Sequence, residues 1–284
     1  MPRAKFNYKN VKLNRTVGLE IEGYMKESPN CLIADGGISG CSIRRDGSLA
    51  NSNWGIPGSR SYGVEIVTSP LDRLDSLEEV FDKITERGWS ASGRAGLHIH
   101  VDATDFRFRD RLKLAHFAKR VEDVMLLFVK TQRYDGDYCK LLSPLYLMTM
   151  NDERFDSVSS MSTLKDLHNR YNNTHLPNTR YLWANIFSSH HPTIEFRMFH
   201  PIRSAEHGAK FAILVHNFVE LVKTASHEQL EFIADSIDNE YEIEKKASML
   251  LEALNIDFKL RILNRPAYAS LLSKRERRDS AIIV

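Results

Sequence analysis

The chain has only three cysteines, Cys31, Cys41 and Cys139, and no CxxC pair. That excludes a zinc knuckle and a disulfide scaffold, and it fits a reducing cytosol. Free thiols are the expectation, with a Cys31–Cys41 bridge as the alternative. No run approaches the ~18 apolar residues of a membrane span. The first residues, Met1-Pro2-Arg3-Ala4-Lys5-Phe6-Asn7, lack the apolar segment of a signal peptide. The expectation is therefore a cytoplasmic protein with no membrane partner. A dominant charge is missing too. The 39 basic residues against 37 acidic ones leave a formal charge of +2, too little to draw the chain as a whole to nucleic acid. There is no GxxxxGK[ST] sequence, which argues against a P-loop fold, and no internal repeat.

What is present is the balance of a globular chain. The 284 residues are 42% hydrophobic and 27% charged, enough for one large domain or two modest ones. The pattern predicts a strand at Gly18–Gly23, a short strand at 41–44 ending at Asp46-Gly47-Ser48, and a strand at 62–67 stopped by Ser69-Pro70. Leu74, Leu77, Val80, Phe81 and Ile84 recur at helical spacing, with Gly88 as the stop. A strand follows at Gly96–Asp102, then an amphipathic helix over 109–130. Residues 180–187 and 193–199 read as two strands joined in a hairpin, and 204–254 as two or three helical segments. The stretches 25–61 and 131–176 read as loop-rich or weakly patterned. The sum is an α+β protein with a largely antiparallel sheet. The sheet occupies 1–203, and C-terminal helices over 204–284 pack on the same domain and end in the charged tail Lys274–Arg278.

The chemistry lies in how polar residues interrupt the strands. Leu19 and Ile21 alternate with Glu20 and Glu22, so the strand buries the first pair and sets two carboxylates side by side on its other surface. Like charges that close repel unless a cation or proton lies between them. Glu65, His98 with His100, and Glu195 with Arg197 recur in the same way on later strands. A sheet that aligned them would hold carboxylates, two imidazoles and a guanidinium on one face. Zinc is the alternative that the imidazoles favour. Carboxylates with a fixed arginine suit Mg²⁺ and phosphate better, which makes a nucleoside triphosphate the natural partner.

An ordered set of motifs then resembles the putative amidoligase family, within the carboxylate–amine ligase superfamily of glutamine synthetase and glutamate–cysteine ligase. They are Gly18-Leu19-Glu20-Ile21-Glu22, Asp46-Gly47-Ser48-Leu49, Val64-Glu65-Ile66-Val67-Thr68-Ser69-Pro70-Leu71, Gly96-Leu97-His98-Ile99-His100-Val101-Asp102, Arg180-Tyr181 with Asn185, and Thr193-Ile194-Glu195-Phe196-Arg197. The resemblance implies a curved, mostly antiparallel sheet with helices on its convex face, like the catalytic domain of glutamine synthetase. It implies ATP and Mg²⁺, with Mn²⁺ as a substitute, and an amide or peptide-like product formed through an acyl phosphate. It gives Glu20, Glu22, Glu65, His98 and Glu195 the role of metal ligands. Arg197 and Arg180 would face phosphate or the acyl phosphate, with His100 and Asn185 also in the catalytic set. Asp46 and Ser48 would bind the nucleotide. Partners would be small-molecule or peptide carboxylates and amines, and related ligases often assemble as homo-oligomers.

Two other readings stand beside this one. A divalent-metal hydrolase could use the same carboxylates and histidines. A nucleic-acid or protein-binding module could use Tyr181, Trp183 and Phe187, although their alternation is that of core residues. His116, His168, His175, His207, His216 and His227 are scattered and read as surface or core histidines.

Overall fold

The computed structural model describes residues 6–26, 28–34, 36–49, 62–91, 95–130, 139–142, 144–147, 150, 158–164, 166, 179–188 and 191–263. The loop cluster Asn51–Gly58, most of 131–176, the tail 274–278, and His168, His175 and His190 lie outside the described residues. The chain is α+β and divides into two compact units. One comprises Met1–Asp102 with Phe199–His216, and the other Ala103–Met198 with Asn217–Val284. Among the described residues no helix is long and apolar enough to cross a membrane.

The first unit is built on one long strand, β1 (Lys12–Met25). It is flanked by α1 (Pro29–Ala34), β2 (Cys41–Arg45), β3 (Tyr62–Thr68), β4 (Leu71–Arg73), α2 (Ser76–Glu86) and β5 (Leu97–Asp102). The strands run in the order β2-β3-β1-β5, with β4 also on β1. The pairs β1–β3, β1–β4, β1–β5 and β2–β3 are all antiparallel. Ser69-Pro70 stops β3 at Thr68 as the sequence suggests, and β4 then resumes against the lower half of β1. Where the β1–β3 ladder stops, the Leu19 N–H is satisfied by the Thr68 hydroxyl at 3.0 Å. The 25–61 stretch, expected as loop, holds the short α1, which opens on Pro29 as a first helical position allows.

Apolar alternation gives β1 a buried face of Val17, Leu19 and Ile21, all at 0% exposure. The first three turns of the following helix, α5 (Ala205–Thr224, of which 205–216 belong here), cover that face. An added Cβ on its Gly208 would stand 3.7 Å from Leu19 and 3.9 Å from Leu77 of α2, so α5 meets β1 on the side opposite Glu20 and Glu22, with α2 packed beside α5.

Helix α2 stops as its sequence predicts. Gly88 takes φ +72°, and Gly88 N–H and Trp89 N–H return to the carbonyls of Thr85 and Ile84 at 3.0 Å each. These two bonds form a Schellman cap. The cap delivers Trp89 onto Gly23, where a Cβ would lie 2.3 Å from the indole ring. Ser90 then pairs with Tyr24 through two backbone bonds of 2.8 Å. Among the described residues Cys31, Cys41 and, in the second unit, Cys139 form no disulfide.

The second unit contains α3 (Phe108–Arg120), α4 (Glu122–Leu126), β6 (Ala184–Asn185), β7 (Thr193–Phe199, through Met198), the end of α5, α6 (His227–Asp238) and α7 (Ile243–Ala253). The helix expected over 109–130 breaks at Val121, which has φ −102° and ψ 12°. Just past the break Glu122 turns inward and is buried. The first arm of the expected hairpin is shortened to two residues. Tyr181 O accepts from Lys140 N at 2.6 Å and Trp183 N donates to Lys140 O at 2.9 Å, so this backbone is diverted to a second partner before β6 begins. Phe117, Phe196 and Phe218 form the aromatic centre of this unit, with centroids 5.3 Å apart for Phe117–Phe218 and 6.1 Å for Phe196–Phe218.

Candidate functional site

In an antiparallel pair, residues directly opposite share a face. The register of the first unit sets Glu22 opposite Glu65, and Glu65 opposite Arg44. It sets Glu20 opposite His98, and Gly18 opposite His100. Because Glu20 and Glu22 are two apart, all of these residues occupy the surface that faces away from the apolar side of β1. The sheet has thus gathered residues spread from 20 to 100 into one patch.

Within that patch Glu20 is held from two sides. Its Oε2 lies 3.0 Å from His98 Nδ1 and its Oε1 lies 3.2 Å from His100 Nε2. Burial alone would raise its pKa, but the hydrogen bonds and charges of His100 and His98 outweigh burial and hold the carboxyl well below the usual range. His98 also approaches Glu22, with Nε2 3.5 Å from Oε1. The Gly96 N–H donates to the other oxygen of Glu22 at 2.7 Å. Arg44 Nε is 2.5 Å from Glu65 Oε2. Burial and then the Glu20 charge push the Glu65 carboxyl up, and Arg44 only partly offsets them. Three carboxylates therefore share a half-buried surface, and one of them is too poorly compensated to keep its ordinary acidity. Carboxylates placed so close could hold a cation between them.

Asp46 and Ser48 form a tight turn after β2. Asp46 Oδ1 accepts from the Ser48 N–H at 2.8 Å and from the Ser48 hydroxyl at 2.7 Å. The other oxygen, Oδ2, is buried with no hydrogen-bond partner among the described residues.

In the second unit Asn185 stands opposite Glu195 in the β6–β7 pair. The amide of Asn185 donates to Glu195 Oε2 at 3.1 Å, and Arg197 Nη1 donates to Glu195 Oε1. Glu195 is buried and carries both partners on a single face, because Arg197 is two residues further along β7. Asn185 Oδ1 is buried and has no hydrogen-bond partner among the described residues. Arg180 is exposed, on the single turn Thr179–Tyr181 that precedes β6.

The first unit thus brings together Glu20, Glu22, Glu65, His98 and His100. The second brings together Asn185, Glu195 and Arg197. By sequence Arg44 and Arg45, near Asp46, read as a solvated pair with reach toward the site as the alternative; in the structure Arg44 closes on Glu65. The signal lay in Ser42 and Arg44 alternating with Cys41 and Ile43 on a strand whose partner could not be known in advance. Glu122 was missed altogether. Its Oε2 accepts from Trp183 Nε1 at 2.7 Å and from Leu142 N at 2.6 Å, which fixes the chain leading into β6. Trp183 is fully buried, as its alternation suggests.

A family model described as putative amidoligase enzyme matches residues 41–202. It covers Glu65, His98, His100, Arg180, Asn185, Glu195 and Arg197, and leaves Glu20 and Glu22 outside its span. No curated protein matches the chain.

Proposed function

This chain belongs to the putative amidoligase enzyme family, and from that membership we propose that it is an ATP- and Mg²⁺-dependent carboxylate–amine ligase working through an acyl phosphate. The observation that carries the reading is the convergence of Glu20, Glu22 and Glu65 on one sheet face, braced by His98 and His100. The donor set fits the cation. Mg²⁺ prefers oxygen ligands and binds through a few carboxylates plus substrate phosphates. The buried Oδ2 of Asp46, just after β2 and with no hydrogen-bond partner among the described residues, is a further oxygen donor in the same unit.

In this reading the acid substrate's carboxylate attacks the γ-phosphorus of ATP, and the bond to the β–γ bridging oxygen breaks to release ADP. The amine then attacks the acyl carbon and phosphate departs. When bound, Mg²⁺ supplies charge neutralisation at the β- and γ-phosphate oxygens. Glu20, Glu22 and Glu65 hold that charge and do not transfer protons. His98 and His100 keep Glu20 ionised and fix its two oxygens, while the Gly96 N–H orients Glu22. Arg44 satisfies Glu65 until a cation competes for it. In the second unit Glu195 keeps the metal-ligand role of the family motif, and Asn185 and Arg197 hold its carboxylate. Arg197 is the donor proposed to steady phosphoryl oxygens during transfer.

The test is an ADP-release screen of carboxylates and amines with ATP and Mg²⁺, run beside mass spectrometry for a product lighter by one water than the summed reactants. Coupled ADP and product, lost in Glu20→Gln and Glu195→Gln while far-UV circular dichroism is unchanged, is the expected result. Chelator-sensitive bond cleavage with no nucleotide requirement would overturn it in favour of a hydrolase.

A further inference from the structure

The second unit holds a cluster that the proposed ligase chemistry does not use. His116 lies in α3 and is buried. His227 and Glu231 lie on α6 four residues apart, one helical turn, and so on one face. A capping box fixes where α6 begins, with Ser226 Oγ accepting from Gln229 N at 3.2 Å and Gln229 Oε1 accepting from Ser226 N at 2.8 Å. His227 is therefore held as the first helical residue.

His116 Nδ1 is 2.9 Å from the carbonyl oxygen of Tyr146. A carbonyl only accepts, so that nitrogen carries the hydrogen. The other nitrogen, Nε2, is 2.8 Å from Glu231 Oε1. An ionised carboxylate also only accepts, so this contact is complete only with a second proton, or with a metal cation that replaces that proton and is bound by both atoms. The His227 ring lies 5.3 Å from the His116 ring, edge toward face at 76°. One potential ligand atom from each of His116, His227 and Glu231 falls within 4.8 Å of the others.

Two details favour the cation. Glu231 Oε2 accepts from Arg120 at 2.8 Å. Glu231 and His116 therefore each have an outer partner that fixes their orientation and leaves one donor atom turned inward, as around protein-bound metals. The local charge points the same way. Arg120 also binds Asp235 at 2.7 Å and Asp238 at 2.9 Å, so among the described residues one guanidinium serves three carboxylates, an excess of two negative charges. A dication neutralises that excess.

We propose that His116, His227 and Glu231 form a Zn²⁺ site that clips helix α3 to helix α6. Two imidazoles and a carboxylate suit zinc, where Mg²⁺ would want oxygen throughout. Three protein ligands leave the fourth tetrahedral position to water. The site shares no residue with the carboxylate face of the first unit and stands whether or not the ligase reading does.

The experiment uses the full chain, stripped with chelator, incubated with Zn²⁺ in excess Mg²⁺ and dialysed against Mg²⁺ buffer. Metal per chain is read by emission spectrometry, and Co²⁺ replaces Zn²⁺ for absorption spectra. One retained zinc in the wild type and in Glu20→Gln is expected, with a four-coordinate cobalt spectrum and a zinc-dependent rise in the thermal midpoint. His227→Ala, partly exposed at a helix start, and Glu231→Gln should each lose the metal and the midpoint rise while keeping their circular dichroism. Zinc retained equally in His227→Ala and Glu231→Gln would overturn the site. So would a wild type that keeps none, which would leave a proton joining Glu231 to His116.

Discussion

The buried carboxylate of Glu122 gives the sharpest test of how this chain supports its candidate residues. Its Oε1 takes the Lys119 ammonium at 2.5 Å, and its Oε2 takes Trp183 Nε1 and Leu142 N. The side chains of Lys119 and Glu122 are only 6% and 7% exposed. Glu122→Gln preserves volume and one acceptor oxygen but removes the charge, leaving a buried ammonium without its counter-ion. Breaking a buried pair from one side costs about 3–5 kcal/mol, a large share of the roughly 5–15 kcal/mol that a domain of this kind has in hand. An amide oxygen in the Oε2 place keeps both N–H donors, Trp183 Nε1 and Leu142 N, satisfied, so the low end, about 3 kcal/mol, is expected. Lys119→Met in the Glu122→Gln background removes the stranded charge, and the pair should recover about 1–2 kcal/mol of that loss. Urea unfolding at neutral pH, followed by both circular dichroism and tryptophan fluorescence, measures all four corners of the cycle. A single-variant cost within about 0.5 kcal/mol of zero, or no recovery in the double variant, would refute the claim that this network is closed and charged.

Other outcomes follow from the same contacts. Gly23→Ala puts a Cβ 2.3–2.8 Å from three atoms of the Trp89 indole. It should cost about 1–3 kcal/mol, read as a lowered urea midpoint, and Trp89→Leu should relieve it. Asp110 caps α3 through the Arg107 N–H at 2.9 Å and binds Lys223 at 2.9 Å. Burial would raise its pKa, but Lys223 and the Arg107 N–H outweigh burial and hold it below the usual value. A depressed carboxyl stabilises above its unfolded pKa and loses that contribution as pH falls through the folded one. The stability gap between wild type and Asp110→Asn should be present at neutral pH and close below about pH 4; a gap independent of pH would contradict the assignment. Arg44→Gln frees Glu65 from its ion pair. Mg²⁺ affinity measured by calorimetry should not fall in that variant, and a loss would mean that Arg44 helps the site rather than occupying it.

Much of the first unit was readable from local pattern. Alternation at Leu19-Glu20-Ile21-Glu22 and at Leu97-His98-Ile99-His100 assigns each side chain to a face whatever the strand pairs with, because the pleat repeats every two residues. Helix α2 was readable from the helical spacing of Leu77, Val80, Phe81 and Ile84, and Gly88 at its end adopts the positive φ that only glycine takes freely. The breaks were less visible. The split at Val121 and the two-residue β6 arise because Glu122 and Lys140 supply distant partners to that backbone and to Trp183, and no local window contains a contact across dozens of residues.

Residue order alone therefore determined which side chains share a strand face, where α2 ends, and that carboxylates and imidazoles recur on separate strands. It did not determine register. Only the folded sheet decided that Glu22 meets Glu65, that Glu65 meets Arg44 and that Glu20 meets His98. It also decided that His116, scattered by sequence, would meet Glu231 on another helix. The reason is that side-chain direction is set by backbone dihedrals one residue at a time, whereas neighbours across a sheet or between helices are set by which long-range packing buries the most apolar surface.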